Sequence, residues 1–376
     1  MRLRQAGFLG CSASALMVGG FMVTSVNEAW SERAGALELG SIVRIQSDLS
    51  DATIFLSLER SVTQVGLSLP TTLSPRFRTL LDDQRRTVDE RFAQVVEQLE
   101  AKEHLNEAES IAADALRARL QDELRTLAAY RAAADRNLAV PLASREAEAA
   151  ELPGRIKHLV DELRTSIALI ETNDVAPAPI IQIEARINQL AWSIRELGGR
   201  ERTYFAIATA LGTPINDATR GEMAQLHSDV ERAQMELSLL SQFPGLSPDL
   251  TQSLATLEQS YFGDYQDVRR SLLSAADTGS YAMSFDEFFA LSSQALQSAE
   301  EVSFKAGDGA IAVTQDIVAE ANQKLAFSIG LSLLLLMALA FAARHILVRI
   351  SGRVTRLSAA MERLSNGDLS VDVSDL

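Results

Sequence analysis

"ERSVTQVGLSLPT" (residues 59–71) and "ERTYFAIATALGT" (residues 201–213) write one pattern twice in the same chain. Glu59/Glu201, Arg60/Arg202, Leu69/Leu211 and Thr71/Thr213 are identities, and Ser61/Thr203, Val65/Ile207, Gly66/Ala208 and Ser68/Ala210 are like-for-like. The same offset brings Arg78 onto Arg220 and Val88 onto Val230, so the agreement outlasts the quoted stretch. In both copies a helix-compatible run ends in a turn holding proline or glycine, which points to a duplicated helical unit.

Working outward, the composition supports long helices. The hydrophobic share is 47%, ample for packed cores, while aromatics are only 6% and the chain is rich in Ala, Leu, Glu, Arg, Gln and Ser. Residues 76 to 135 contain neither proline nor glycine, and Leu80, Val88, Phe92, Val95, Val96 and Leu99 recur mostly at three- and four-residue steps. Clear strand signals are absent. Proline and glycine collect near residues 67–75, 139–144, 151–154, 173–180, 210–217, 242–248 and 276–284, which predicts about eight helices, four on either side of "NDVAPAPI" (173–180). Each half then reads as an up-and-down four-helix unit with its Glu-Arg element near the end of the first helix.

Two apolar runs set the expected topology. Residues 6–26 and 325–343 carry no charged side chain and are each long enough to cross roughly 30 Å of hydrocarbon. Arg2 and Arg4 precede the first, and Arg344, His345, Arg349, Arg353 and Arg356 follow the second, so the positive-inside rule puts both ends in the cytoplasm. A cleaved signal peptide ending near "CSASA" is the competing reading of the N-terminus, against which the apolar run continues through Met17, Phe21 and Val23. The net charge of -15 suits a solvated helical surface and argues against nucleic acid. The single cysteine, Cys11, excludes an intramolecular disulfide and a cysteine zinc site.

Beyond the second run, Ile350, Val354, Leu357, Met361 and Leu364 are spaced four, three, four, three, a heptad seam suited to a parallel coiled coil, and Gly367 is placed to stop the helix. "RLSAAMERLSNGDLSVDV" resembles the first helix and connector of a HAMP linker, with Arg353 where that family usually has proline and the sequence ending at Leu376 before a second HAMP helix. The expected division is a cytoplasmic segment 1–5, a span 6–26, an external sensor 27–324 with halves about 27–173 and 180–324, a span 325–343 and a partial HAMP linker 344–376. The fold class is all-α: membrane-anchored, with tandem four-helix bundles outside, two transmembrane helices and a partial HAMP coiled coil.

"FLSLERSVTQVGL", "LGGRERTYFAIATALG" and "YQDVRRSLLSAADTGSYAMSFDEFFALSSQAL", in that order, resemble the signatures of the nitrate- and nitrite-sensing (NIT) domain family across most of residues 45 to 305. The resemblance implies that arginines hold an anion, and by motif these are Arg60, Arg202 and Arg269, with Arg270 fitting the last position equally well. Guanidinium groups suit a small planar oxyanion, being rigid, forked and always charged. Ser57, Thr63 and Gln64 lie within a turn of Arg60 as neutral donors, and Gly198 and Gly199 near Arg202 permit close helix approach. Against this, the apolar stripe Ile54, Leu58, Val62, Val65, Leu69 leaves Arg60 on the far side of its helix, as a surface residue or one facing another helix or subunit. Arg202 lies off its stripe less completely.

The four histidines, His104, His158, His227 and His345, show no metal-ligand spacing, and neither cofactor nor enzyme motif is present. Phe285, Phe288 and Phe289 read as core. The expected function is a two-pass, homodimeric receptor of the bacterial inner membrane that senses nitrate, nitrite or a similar anion in the periplasm and relays it through the second span and the HAMP seam to an unidentified cytoplasmic partner, as in methyl-accepting chemotaxis proteins. The alternatives are the sensory half of a histidine kinase or cyclase for another small ligand, and a non-sensory helical scaffold that binds a partner protein. A sensor should hide two or more arginines; a scaffold should expose them.

Overall fold

The structure, a computed structural model, describes residues 2–101, 103, 105–167 and 178–365, with the backbone alone for residues 2–17, 166–167, 346–356, 358, 359, 363 and 364. The described residues contain helices and no strand. The helices are α1 (Arg2–Ser68), α2 (Pro75–Ala101), α3 (Glu107–Leu138), α4 (Leu152–Ile167), α5 (Pro179–Leu211), α6 (Asp217–Leu240), α7 (Pro248–Gln259), α8 (Tyr265–Ala275) and α9 (Phe285–Ser365). A π-helical turn, Ser260–Asp264, joins α7 to α8 into one bent rod, so four helical rods stand on either side of residues 168–177.

Local chemistry fixes the ends. Asn106 caps α3 reciprocally with Glu109, Asn216 and Ser247 cap α6 and α7, and Gly212, at φ 59°, closes α5 in the left-handed region open to glycine. The turn after α1 is clasped by Arg145, which donates to the carbonyls of Leu67 at 2.5 Å and Thr71 at 2.9 Å. Those carbonyls would otherwise be orphans at the helix end.

One compact unit comprises Gly35–Ile317, and two of its hydrophobic clusters are large. The first core lies among α1 to α4: Val88, Phe92, Val95 and Leu99 of α2, at helical spacing, meet Leu49 and Leu56 of α1, Leu120 and Leu127 of α3, and Val160 of α4, while Phe77 and Leu81 pack with Val62 of α1 and Ala134 and Leu138 of α3. Each of these Val, Leu and Phe side chains contributes about 1.5–3 kcal/mol by burial. The second core gathers Ile194 and Phe205 of α5, Val230 of α6, Leu257 of α7, Tyr261, Tyr265, and Phe288 and Val302 of α9.

The two bundles lie side by side through their first helices. Ser50 donates to Asn188 Oδ1 at 3.0 Å, the Trp192 indole donates to Thr53 at 3.0 Å, and Arg60 reaches Glu196, so residue numbers on α1 and α5 rise together along a parallel pair. Helix α9 runs antiparallel beside both, with Asn188 donating to the Ser303 carbonyl at 2.8 Å and Phe55 stacked on Phe304 at 5.9 Å. An α1 enclosed on several sides buries Leu56, Ser57, Glu59 and Arg60 together. The single apolar stripe expected for α1 is therefore too narrow a description, and Arg60 is no surface residue.

The other unit comprises residues 1–34 with 318–376. In it Ser25 meets Ser328 at 3.4 Å, Arg33 donates to Asn322 at 2.7 Å, and Glu32 pairs with Lys324 at 3.4 Å. One described helix, the stretch Phe285–His345 of α9, is long and apolar enough to cross a membrane, and only 6% of its most apolar window is buried, unlike the core helix of a soluble domain. The other expected span, 6–26, falls largely on residues whose side chains lie outside the described part. Of the expected seam, Leu357 and Met361 are exposed on the single chain, the side chains of Ile350, Val354 and Leu364 are not described, and Gly367 lies outside the described residues, as does His104.

Candidate functional site: a buried arginine cluster

The repeat separates its two residues by direction. Glu59 and Glu201 turn into their own bundles. Glu59, fully buried, accepts from Arg131 at 2.7 and 2.8 Å and from Arg85 at 3.2 Å. Glu201, equally buried, accepts three bonds from Arg269, at 2.8, 2.9 and 3.1 Å. Arg269 is thus the buried member of its pair, while Arg270 is exposed and bonds Asp267 three residues back. The Arg269 guanidinium is committed to Glu201.

Arg60 and Arg202 point the other way, into the seam among α1, α5 and α9. Arg60 is 3% exposed and grips Glu196 through both terminal nitrogens, at 2.5 and 3.1 Å. Burial by itself would push the Glu196 carboxyl up, but the Arg60 guanidinium holds it below the usual carboxylate range.

Arg202, 2% exposed, has no carboxylate partner: Nη1 donates to the Ser293 hydroxyl of α9 at 3.0 Å, its plane lies 4.8 Å from the Phe289 ring, and Nε has no acceptor. Burial, and then the like charges of Arg195 and Arg60, push this guanidinium down to about 9. It remains charged at neutral pH.

Arg195 completes the group. It lies two helical turns before Arg202, on the same face of α5, and is equally buried. None of its three nitrogens has a hydrogen-bond acceptor, although Nε comes within 3.5 Å of Glu300 on α9. Burial pushes the Glu300 carboxyl up, and Arg195 draws it partly back. A Cβ added at Gly199 would stand 2.7 Å from Arg195 Nη1, so this glycine makes room for the guanidinium. Gly198 does the same for the Tyr261 hydroxyl from the π-helical turn. The Tyr261 and Tyr265 hydroxyls are buried and lack acceptors, and burial raises both phenols, so both keep their protons as donors. Buried donors without acceptors are rare in native proteins, and here five guanidinium and phenol groups of one neighbourhood include four such cases: Arg195, Arg202, Tyr261 and Tyr265.

Of the neutral donors expected near Arg60, the Ser57 and Thr63 hydroxyls are both buried without a hydrogen-bond partner, while Gln64 is half-buried. Sequence reasoning missed Arg195, Glu196, Tyr261, Tyr265 and Ser293. The "RELGGRER" segment (195–202) contained the Arg195 signal, since Arg195 and Arg202 sit at heptad spacing around two glycines. No spacing rule connects Tyr261 or Ser293 to it. A cavity of about 560 Å³ opens one turn away, lined among others by Thr53 of α1, Asn188 and Trp192 of α5 and Gly307 of α9. Among the described residues no three histidine, cysteine or acidic side chains gather as a metal site.

The helical fold has a solved counterpart. The chain is similar to the structure of the NasR transcription antiterminator, with a TM-score of 0.58, 16% sequence identity, and coverage of 86% of this chain and 85% of that one. At that identity the likeness is one of fold. No protein-family model and no curated protein matches the chain.

Proposed function

We propose that this chain is a two-pass receptor of the bacterial inner membrane whose periplasmic helical domain senses a small anion, nitrate, nitrite or a similar one, at the Arg60–Arg195–Arg202 cluster. The observation that carries the reading is Arg202: a fully buried guanidinium with no carboxylate, beside a second whose nitrogens have no acceptor. Leaving a buried charge uncompensated costs several kcal/mol, and a bound oxyanion meeting these nitrogens would relieve that cost through charge-assisted bonds. The resemblance to the NIT family rests on three segments, of which the first two hold Arg60 and Arg202, and the antiterminator likeness adds the fold alone.

The relay follows from chain continuity. Ser293 and Phe289, which touch Arg202, stand on α9, the helix that also holds the apolar stretch and the heptad seam. An anion that draws Arg202 from Ser293 favours one arrangement of α9 over another, and a homodimeric HAMP seam would transmit the shift to a cytoplasmic partner. A scaffold without a ligand would have no use for two desolvated, poorly paired arginines.

The test is calorimetry on the full chain in detergent with sodium nitrate and sodium nitrite, beside Arg202→Gln. Wild type should bind one anion per chain, and the variant should lose about tenfold or more in affinity. Absence of binding to a folded wild type, or equal binding by the variant, would overturn the proposal.

A further inference from the structure

The cluster can be counted as well as described. Three guanidiniums, Arg60, Arg195 and Arg202, meet two carboxylates, Glu196 and Glu300, so one positive charge remains, and the pairing leaves it on Arg202. The neighbouring Glu201–Arg269 pair is neutral as a unit. His227, beside Glu201, is kept neutral as burial and Arg269 lower its affinity for a proton. Arg164 feels Glu196 as well, but it is exposed and stacked on Trp192 at 4.1 Å.

We infer that this count selects a monovalent oxyanion over a divalent one, and that Glu196, as a built-in counter-anion on Arg60, sets the selection. The inference rests on the anion-site reading above and extends it from the existence of a ligand to its charge. In a dry interior, neutrality carries weight that it lacks in water, because ionic screening does not reach buried charges. One negative charge brings the cluster to neutrality. A second would leave an uncompensated anion in the interior, after a larger loss of hydration. Size alone would not separate nitrate from sulfate so sharply, since guanidinium forks accept both.

Neutralising Glu196 should therefore change which anion the site prefers, rather than destroy the site. With Glu196→Gln the group holds one more positive charge, Arg60 becomes a free fork, and sulfate becomes the better match. Glu300→Gln makes the same change at the edge of Arg195, more weakly, because the carboxylate stands 3.5 Å from a single nitrogen.

The experiment is calorimetric titration of the full chain in detergent with sodium nitrate and with sodium sulfate, at pH 7.5 and an ionic strength held by a bulky buffer salt. Wild type should prefer nitrate by about tenfold or more, and Glu196→Gln should shift the nitrate-to-sulfate ratio about tenfold or more toward sulfate. Glu300→Gln should shift it in the same direction by less, and it decides the matter if Glu196→Gln does not fold by circular dichroism. Should wild type bind sulfate as tightly as nitrate, or should the folded variants keep the wild-type ratio, the charge inference fails while the anion site stands. If wild type binds neither salt, or Arg202→Gln binds nitrate unchanged, the site itself is wrong and the inference falls with it.

Discussion

At Glu59–Arg60 both residues are fully matched: the acid by Arg85 and Arg131 inside the first bundle, the base by Glu196 across the seam. At Glu201–Arg202 the acid is matched by Arg269 in the same way, but the base meets a serine hydroxyl and an aromatic face. Between the two copies the acid keeps an arginine partner within its own bundle, and the arginine does not keep a carboxylate. The position equivalent to Glu196 in the first copy is Ile54, so nothing in the repeat could have supplied Arg202 with the same partner. A repeated motif can thus be structural in one residue and functional in the next. The acid secures the bundle in both copies, and the base is structural only where the other bundle provides a carboxylate.

The largest effect should come from the shared half. Glu201→Ala strands Arg269 and should destabilise the domain by about 3–5 kcal/mol, while Glu59→Ala leaves Arg85 on Asp135 and Arg131 on Asp89 and should cost less, about 1–3 kcal/mol, both read as loss of melting temperature by circular dichroism. A loss below about 1 kcal/mol at either position would break the claim that the acids play one role.

The two bases should then differ in sign. Arg60→Gln leaves Glu196 buried beside a neutral amide and should cost about 3 kcal/mol. Arg202→Met removes a desolvated charge that has no counter-ion and should leave the anion-free protein as stable as wild type, or more so by about 1 kcal/mol. Melting curves in an anion-poor buffer would show this, and equal losses for the pair would mean that Arg202 has a structural partner after all.

The smallest effect is a pH dependence confined to the second copy. Burial lowers Arg202 to about 9, well below the ordinary guanidinium range, so its burial cost is present in full below about pH 9 and is relieved as pH rises above it. Because an anion needs the charged form, nitrate affinity should be flat from pH 7 to about 8.5 and fall by up to about tenfold per unit above 9. A titration series flat through pH 10 would remove Arg202 from the ligand contact.

Much of this architecture was legible in the chain. Runs free of proline and glycine and three- and four-residue apolar steps act within a few residues of one another, so they specified the helices and their breaks. The apolar run in α9 was equally local. The repeat identified Arg60 and Arg202, and the choice between Arg269 and Arg270 stayed open because adjacent residues on a helix differ only in which face meets a neighbour.

Tertiary structure decided what those arginines are. Arg60 and Glu196 lie 136 residues apart, and only the parallel packing of α1 on α5 makes them a pair. The same packing turned an apparently outward Arg60 inward, because the helix is enclosed on more sides than one stripe of apolar residues can report. Arg195, Tyr261 and Ser293 joined the site from positions with no common spacing. A charge is recognisable in a sequence, but whether it is compensated depends on the group opposite it in space, and helices brought together from distant parts of the chain settle that.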